Sequence, residues 1–153
     1  MKILVNGAIA LPVGPSMNYQ YLAGLIDGEG SIVVSHNRTR KDGYARPNLR
    51  LTLGNTYKPI IDWLQKNFGG SVVTEKVKGN RKPSWQWIVS GSRASNILEL
   101  VYPHLKIKFK QAGIGMTLVH STYKINLVKY PELISFAQSL EEECHNLNRR
   151  GCE

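Results

Sequence analysis

The stretch "YLAGLIDGEGSI", Tyr21 to Ile32, decides how the rest of the chain is read. A nearly all-apolar run at helical spacing ends in two carboxylates, Asp27 and Glu29, each followed by glycine. Acidic side chains favour helix starts, because the end of a helix carries partial negative charge. Carboxylates set against that preference mark either a chemical site or a cap. Tyr19, Leu22, Ala23 and Ile26 form one apolar stripe, while Tyr21 and Leu25 make a second face apolar. A helix apolar on two sides must be covered on two sides. Its length of roughly ten residues falls short of the ~20 needed to cross a bilayer. The second cover is therefore protein, either this chain or a partner, and Ala23 and Gly24 are small enough to let another backbone come close.

After Gly30 the period changes from helical to alternating. "SIVVSHNR" and "YARPNLRLTLG" read as strands joined across Asp42-Gly43, a hairpin-turn pair. "KPIIDWLQKNFGG" starts a helix at Pro59, spaces Ile60, Ile61, Leu64 and Phe68 along it, and stops at Gly69-Gly70. The cycle repeats: "SVVTEKVK" and "SWQWIVS" make a second hairpin around "GNRKP", then "SRASNILELVY" makes a helix stopped by Pro103. Pro131 opens a further helix through Leu133, Phe136, Ala137, Leu140, Cys144 and Leu147, with Glu141, Glu142 and Glu143 as an acidic, solvated stretch. The expected fold is α+β, an antiparallel sheet with helices on one face and extra helices after it. Residues 1–17 read as an N-terminal extension and residues 18–153 as a single domain.

Charge narrows the partners. The 153 residues carry 20 Lys+Arg against 11 Asp+Glu, a net charge of +9, with a pI of about 9.7. Such a balance favours a polyanion: nucleic acid first, an anionic membrane surface second. No apolar run reaches spanning length, and the patch after Lys2 is broken at Asn6 and Gly7 with no small-residue cleavage site, so neither membrane insertion nor secretion is expected. Cys144 and Cys152 lack metal-ligand spacing, as do His36, His104, His120 and His145. Free thiols fit an intracellular, reducing compartment: cytoplasm, nucleoid or organelle matrix.

The alternation also divides the sheet into two faces. With Leu49, Leu51 and Leu53 toward the helices, Arg46, Asn48, Arg50 and Thr52 point away. Trp85, Trp87 and Val89 go inward, leaving Ser84, Gln86 and Ile88 outward. In "SVVTEKVK", Val73 and Val77 are expected inward, with Thr74, Lys76 and Lys78 outward. Ser31, Val33, Ser35 and Asn37 complete the outward set, and the loops add Arg38, Arg40, Lys41, Arg81 and Lys82. Any antiparallel sheet shows water a polar face. The scarcity of acid on this one favours contact with base edges and phosphates.

"LAGLIDGEG", Leu22 to Gly30, closely resembles the signature of the LAGLIDADG homing endonucleases, and the order of elements after it is similar to theirs. "HLKIKFKQA", His104 to Ala112, resembles a basic segment of the single-motif members. The resemblance implies an αββαββα core whose four-stranded sheet is a saddle straddling double-stranded DNA. It implies signature helices packed at a two-fold axis, here with Tyr21, Leu22, Gly24, Leu25 and Asp27 at the interface. One signature then implies a homodimer on a near-palindromic duplex site.

The same resemblance assigns chemistry. The Glu29 carboxylate and the Gly28 carbonyl are the expected ligands of Mg²⁺, with Mn²⁺ or Ca²⁺ able to occupy the same sites; hard oxygen donors suit all three. Many members carry aspartate where this chain has Glu29. Asp27 is expected to cap and orient the turn. Lys108 is the expected active-site lysine, with Lys106 and Lys110 on DNA backbone, and Asn55 the expected residue that positions water. The activity implied is metal-dependent double-strand cleavage by an intron-encoded enzyme. The alternative is a maturase acting on intron RNA, or a DNA-binding regulator, on the same fold without nuclease activity.

Overall fold

The computed structural model describes residues 2–3, 11–12, 18–36, 47–123 and 125–149. Two short strands, β1 (Lys2–Ile3) and β2 (Leu11–Pro12), pair antiparallel within the N-terminal segment. Asn18 then caps helix α1 (Tyr19–Glu29), its side-chain oxygen accepting the Tyr21 amide at 2.9 Å. Strands β3 (Gly30–His36) and β4 (Pro47–Asn55) form the first hairpin, followed by helix α2 (Lys58–Phe68). Strands β5 (Ser71–Glu75) and β6 (Ser84–Ser90) form the second, followed by α3 (Gly91–Val101). Helices α4 (Phe109–Thr122) and α5 (Pro131–Asn148) complete the chain. Among the described residues no helix is long and apolar enough to cross a membrane.

The sheet is fully antiparallel in the order β3-β4-β6-β5, as the αββαββα reading expected. Its inner face presents Ile32, Val34, Leu49, Leu51, Leu53, Trp87 and Val89, all buried against helices. From α1 the core takes Leu22, Ala23 and Ile26; from α2, Ile61, Leu64 and Phe68; from α3, Ala94, Ile97, Leu98 and Val101. Trp87 is the largest fully buried side chain, and its indole N–H is satisfied by the Gly69 carbonyl at 2.7 Å. Helix α4 comes close to the sheet because a Cβ at Gly115 would collide with the Leu49 side chain.

Strand β5 departs from the expected parity. Val72 pairs with Trp87 on the inner face, Val73 pairs with Gln86 on the outer face, and Thr74 pairs with Trp85. Thr74 is thus on the helix side and Val73, 48% exposed, is on the outer side. The reason lies in the entry to the strand. Gly69 and Gly70 both take positive φ, at 70° and 90°, and a Cβ on Gly70 would strike the Ile88 carbonyl. That pair turns the chain against β6 and fixes the register. The strand then ends at Glu75, so Lys76, Val77 and Lys78 belong to the exposed turn that follows.

Helix α5 covers the free edge of β3. The Asn148 amide donates to the Ile32 carbonyl at 2.9 Å, and the buried Cys144 thiol reaches the same oxygen at 3.6 Å. An unpaired strand edge is a template for adventitious pairing, and covering it removes that hazard. Burial pushes the Cys144 thiol above its ordinary range.

Candidate active site

Helix α1 ends where its carbonyls run out of helical donors. The Gly30 amide closes the last turn on the Ile26 carbonyl, leaving the carbonyls beyond it to other partners. The ammonium of Lys108 supplies one: it donates to the Asp27 carbonyl at 2.5 Å and shares the Ile26 carbonyl with the Gly30 amide, at 3.0 Å. A cation at a helix C-terminus is favourable. In return, the Asp27 carboxylate accepts the backbone amides of Lys106 at 2.8 Å, Ile107 at 3.2 Å and Lys108 at 2.9 Å. Five hydrogen bonds therefore stitch the end of α1 to the start of α4.

The electrostatics follow from that arrangement. Burial pulls the Lys108 ammonium below the usual lysine range, and the Asp27 and Glu29 carboxylates push it back up. Glu29 is exposed at the surface, and its carboxylate accepts no hydrogen bond among the described residues. Asp27 and Glu29 thus divide the work: one carboxylate is consumed in holding the backbone, and the other is presented outward. Glu29 with the exposed Gly28 backbone offers hard oxygen donors that fit a divalent cation, completed by water or phosphate. No cluster of three or more His, Cys, Asp or Glu that could hold a metal occurs among the described residues.

Asn55 sits at the end of β4, beside the C-terminal end of α1, since Leu53 pairs with Gly30. Its side-chain oxygen accepts the Tyr57 amide at 2.8 Å, tightening the turn into α2. Asn55 is therefore a turn-forming residue here, with its oxygen already engaged.

On α1 the exposed face is narrow. Tyr21 is 49% exposed and stacks edge-on against Trp63, Gly24 and Gly28 are exposed, and Leu25 is half-buried. A Cβ at Gly24 or Gly28 would meet nothing within 4 Å. Leu22, expected at an interface, is fully buried in its own core, because it lies on the same side as Ala23 and Ile26. Asp27 is likewise turned to its own chain. Composition alone did not mark Ile107, an apolar side chain 68% exposed in the segment tied to Asp27.

The outer sheet face carries most of the residues expected there. Ser31, Thr52, Ile88 and Ser71 form one cross-strand row; Val33, Arg50 and Ser90 form a second. Ser35 pairs with Asn48, and Gln86 with Val73. Ser84 is bonded through its hydroxyl to Glu75 at 2.7 Å. Lys76, Lys78, Arg81 and Lys82 are exposed in the turn at one end of this face, and Lys106 and Lys110 are exposed around the start of α4. Asn37, Arg38, Arg40, Lys41 and Arg46, together with the Asp42-Gly43 turn, lie outside the described residues.

With this geometry in place, the family comparison is decisive: the model described as LAGLIDADG endonuclease matches residues 22–111, from the motif through the start of α4. The chain belongs to the LAGLIDADG endonuclease family. Among solved structures of the family, I-CvuI in complex with the I-CreI target in the presence of magnesium superposes with a TM-score of 0.70 at 24% identity, covering 88% of this chain and 84% of that one. The archaeal intron-encoded homing endonuclease I-Vdi141I, complexed with DNA, gives 0.65 at 16% identity, covering 87% and 85%. I-LtrWI bound to target DNA gives 0.60 at 20%, covering 94% of this chain but 48% of that chain. At these identities the structural matches speak to the LAGLIDADG fold alone. A search of curated proteins found no match.

Proposed function

We propose that this LAGLIDADG protein is a site-specific double-strand DNA endonuclease that works as a homodimer on a near-palindromic site and requires a divalent cation, Mg²⁺ being the expected one. The observation that carries the reading is the placement of Glu29. Its free carboxylate stands at the end of α1, beside the clamped Lys108 ammonium and next to the open stripe Tyr21, Gly24 and Gly28. Two copies packed through that stripe would set two Glu29 carboxylates near one axis. The match of this chain to about half of I-LtrWI supports two copies per functional unit.

Each residue then has a physical task. Glu29 and the Gly28 carbonyl would hold the cation, which when bound neutralises phosphate charge and activates water. Lys108, fixed by two carbonyls, holds a positive charge where negative charge develops on the attacked phosphate. Its restrained position costs no reorganisation during the reaction. Arg50, Asn48, Gln86 and Thr52 on the outer face hydrogen-bond base edges, and the exposed lysines contact phosphates. The charge of +9 supplies the attraction that brings duplex and protein together.

The test is a cleavage selection on randomised duplexes with Mg²⁺, followed by Glu29→Gln on the recovered site. The variant is expected to bind that site and leave it intact. Full cleavage by Glu29→Gln would remove Glu29 from the mechanism, and cleavage in excess EDTA would remove the cation.

A further inference from the structure

The outer sheet face holds a second message in its apolar residues. Val73 is 48% exposed and pairs directly with Gln86; Ile88 lies two residues along β6 on the same face. Gln86 is therefore flanked by apolar side chains, one across the ladder and one along its own strand. The neighbouring outward positions Thr52, Ser71 and Ser84 are all hydroxyl residues, so polar side chains satisfy the strands at these places. Apolar side chains here leave carbon facing water unless something apolar arrives.

We propose that Val73 and Ile88 read the C5-methyl groups of thymine in the major groove, and that Gln86 between them reads adenine. The inference rests on the DNA-binding reading above and deepens it to base preference. In the major groove, adenine offers an acceptor and a donor that match a glutamine amide, while thymine offers an acceptor and a methyl. An amide bordered by apolar side chains is complementary to that pattern. The spacing agrees as well. Residues i and i+2 on one strand stand about 6.6–6.8 Å apart, close to two base-pair steps of about 3.4 Å each. Gln86 and Ile88 are thus in step with base pairs two apart on one half-site.

A docked protein is the poorer occupant. A protein partner needs a continuous apolar patch, whereas the exposed apolar residues here are split by hydrogen-bonding side chains. Val33 lies opposite Arg50 in a separate row, away from Val73. Single methyls among donors and acceptors are the pattern of base edges.

The experiment separates base reading from binding itself. Duplexes bound in Ca²⁺ are selected from a randomised pool with the full chain, and thymines of the recovered half-site are replaced one at a time by deoxyuridine. The expected recovered site has A·T pairs two steps apart in each half. Loss of one contacted methyl is expected to weaken binding about fourfold, the factor for one methyl taken out of water. Val73→Ser, which leaves no side-chain methyl, should erase the deoxyuridine effect at one position and Ile88→Ser at another. Both residues are outside the core, so the variants should fold. Tight binding with no deoxyuridine effect at any position would overturn methyl reading while leaving DNA binding in place. So would an effect that survives both substitutions. Recovery of no duplex would overturn this inference and the DNA reading together.

Discussion

Asp27 and Lys108 hold each other through backbone. The Asp27 carboxylate accepts the Lys108 amide at 2.9 Å while the Lys108 ammonium donates to the Asp27 carbonyl at 2.5 Å. The contact crosses 81 positions of sequence and joins the signature helix to the last basic segment. An acidic pair at a helix end thus resolves into one residue that builds and one whose side chain is exposed.

Replacing Asp27 by asparagine should damage the clamp without touching the DNA face. One carboxylate oxygen becomes an amide donor facing backbone N–H groups, leaving at least one of three amides unpaired. The expected cost is about 1–3 kcal/mol of stability, read by denaturant unfolding. Turnover at saturating duplex should fall while the Kd measured in Ca²⁺ stays within about threefold, a change under 1 kcal/mol.

Lys108→Met retains length and apolar contact but removes the charge. If the cation offsets charge developing on phosphate, single-turnover cleavage should fall by about 10²–10³, the magnitude of losing one such group. Equal cleavage rates for Lys108→Met and wild type would assign the lysine to packing alone.

Gly24 tests assembly separately from folding. Nothing lies within 4 Å of a Cβ there. Gly24→Leu should leave the single chain as stable as wild type or slightly more so, since leucine is the better helix former. Sedimentation should show weakened self-association, and cleavage should fall with it. An undisturbed dimer would move the interface away from α1.

Cys144 gives stability a pH dependence. Its folded value is raised by burial, so the folded state holds the proton more tightly than the unfolded chain. That contribution is fully present below the unfolded thiol value of about 8.5 and is lost as pH rises through the raised folded value. Relative to wild type, Cys144→Ala should flatten the alkaline fall in unfolding free energy, measured across that window.

Much of this was legible in local pattern. The change from helical to alternating period at Gly30, the two hairpins and the glycine pair after α2 follow from spacing and turn chemistry. Three things were not. Two adjacent valines in "SVVTE" carry no alternation, so the facing of β5 came only from its pairing with β6. Leu22 sits on a helix apolar all round, where sequence cannot say which side meets its own sheet. The engagement of Asp27 depends on amides 79 to 81 residues away. Non-local geometry decided each of them, and no window of residues contains it.

The lid that α5 places on the carbonyl of Ile32 has a consequence for how copies meet. With that border closed, a second chain cannot continue the sheet from β3 and build an open-ended ribbon. The homodimer proposed above would use α1 instead, a face that adds no strand to the sheet.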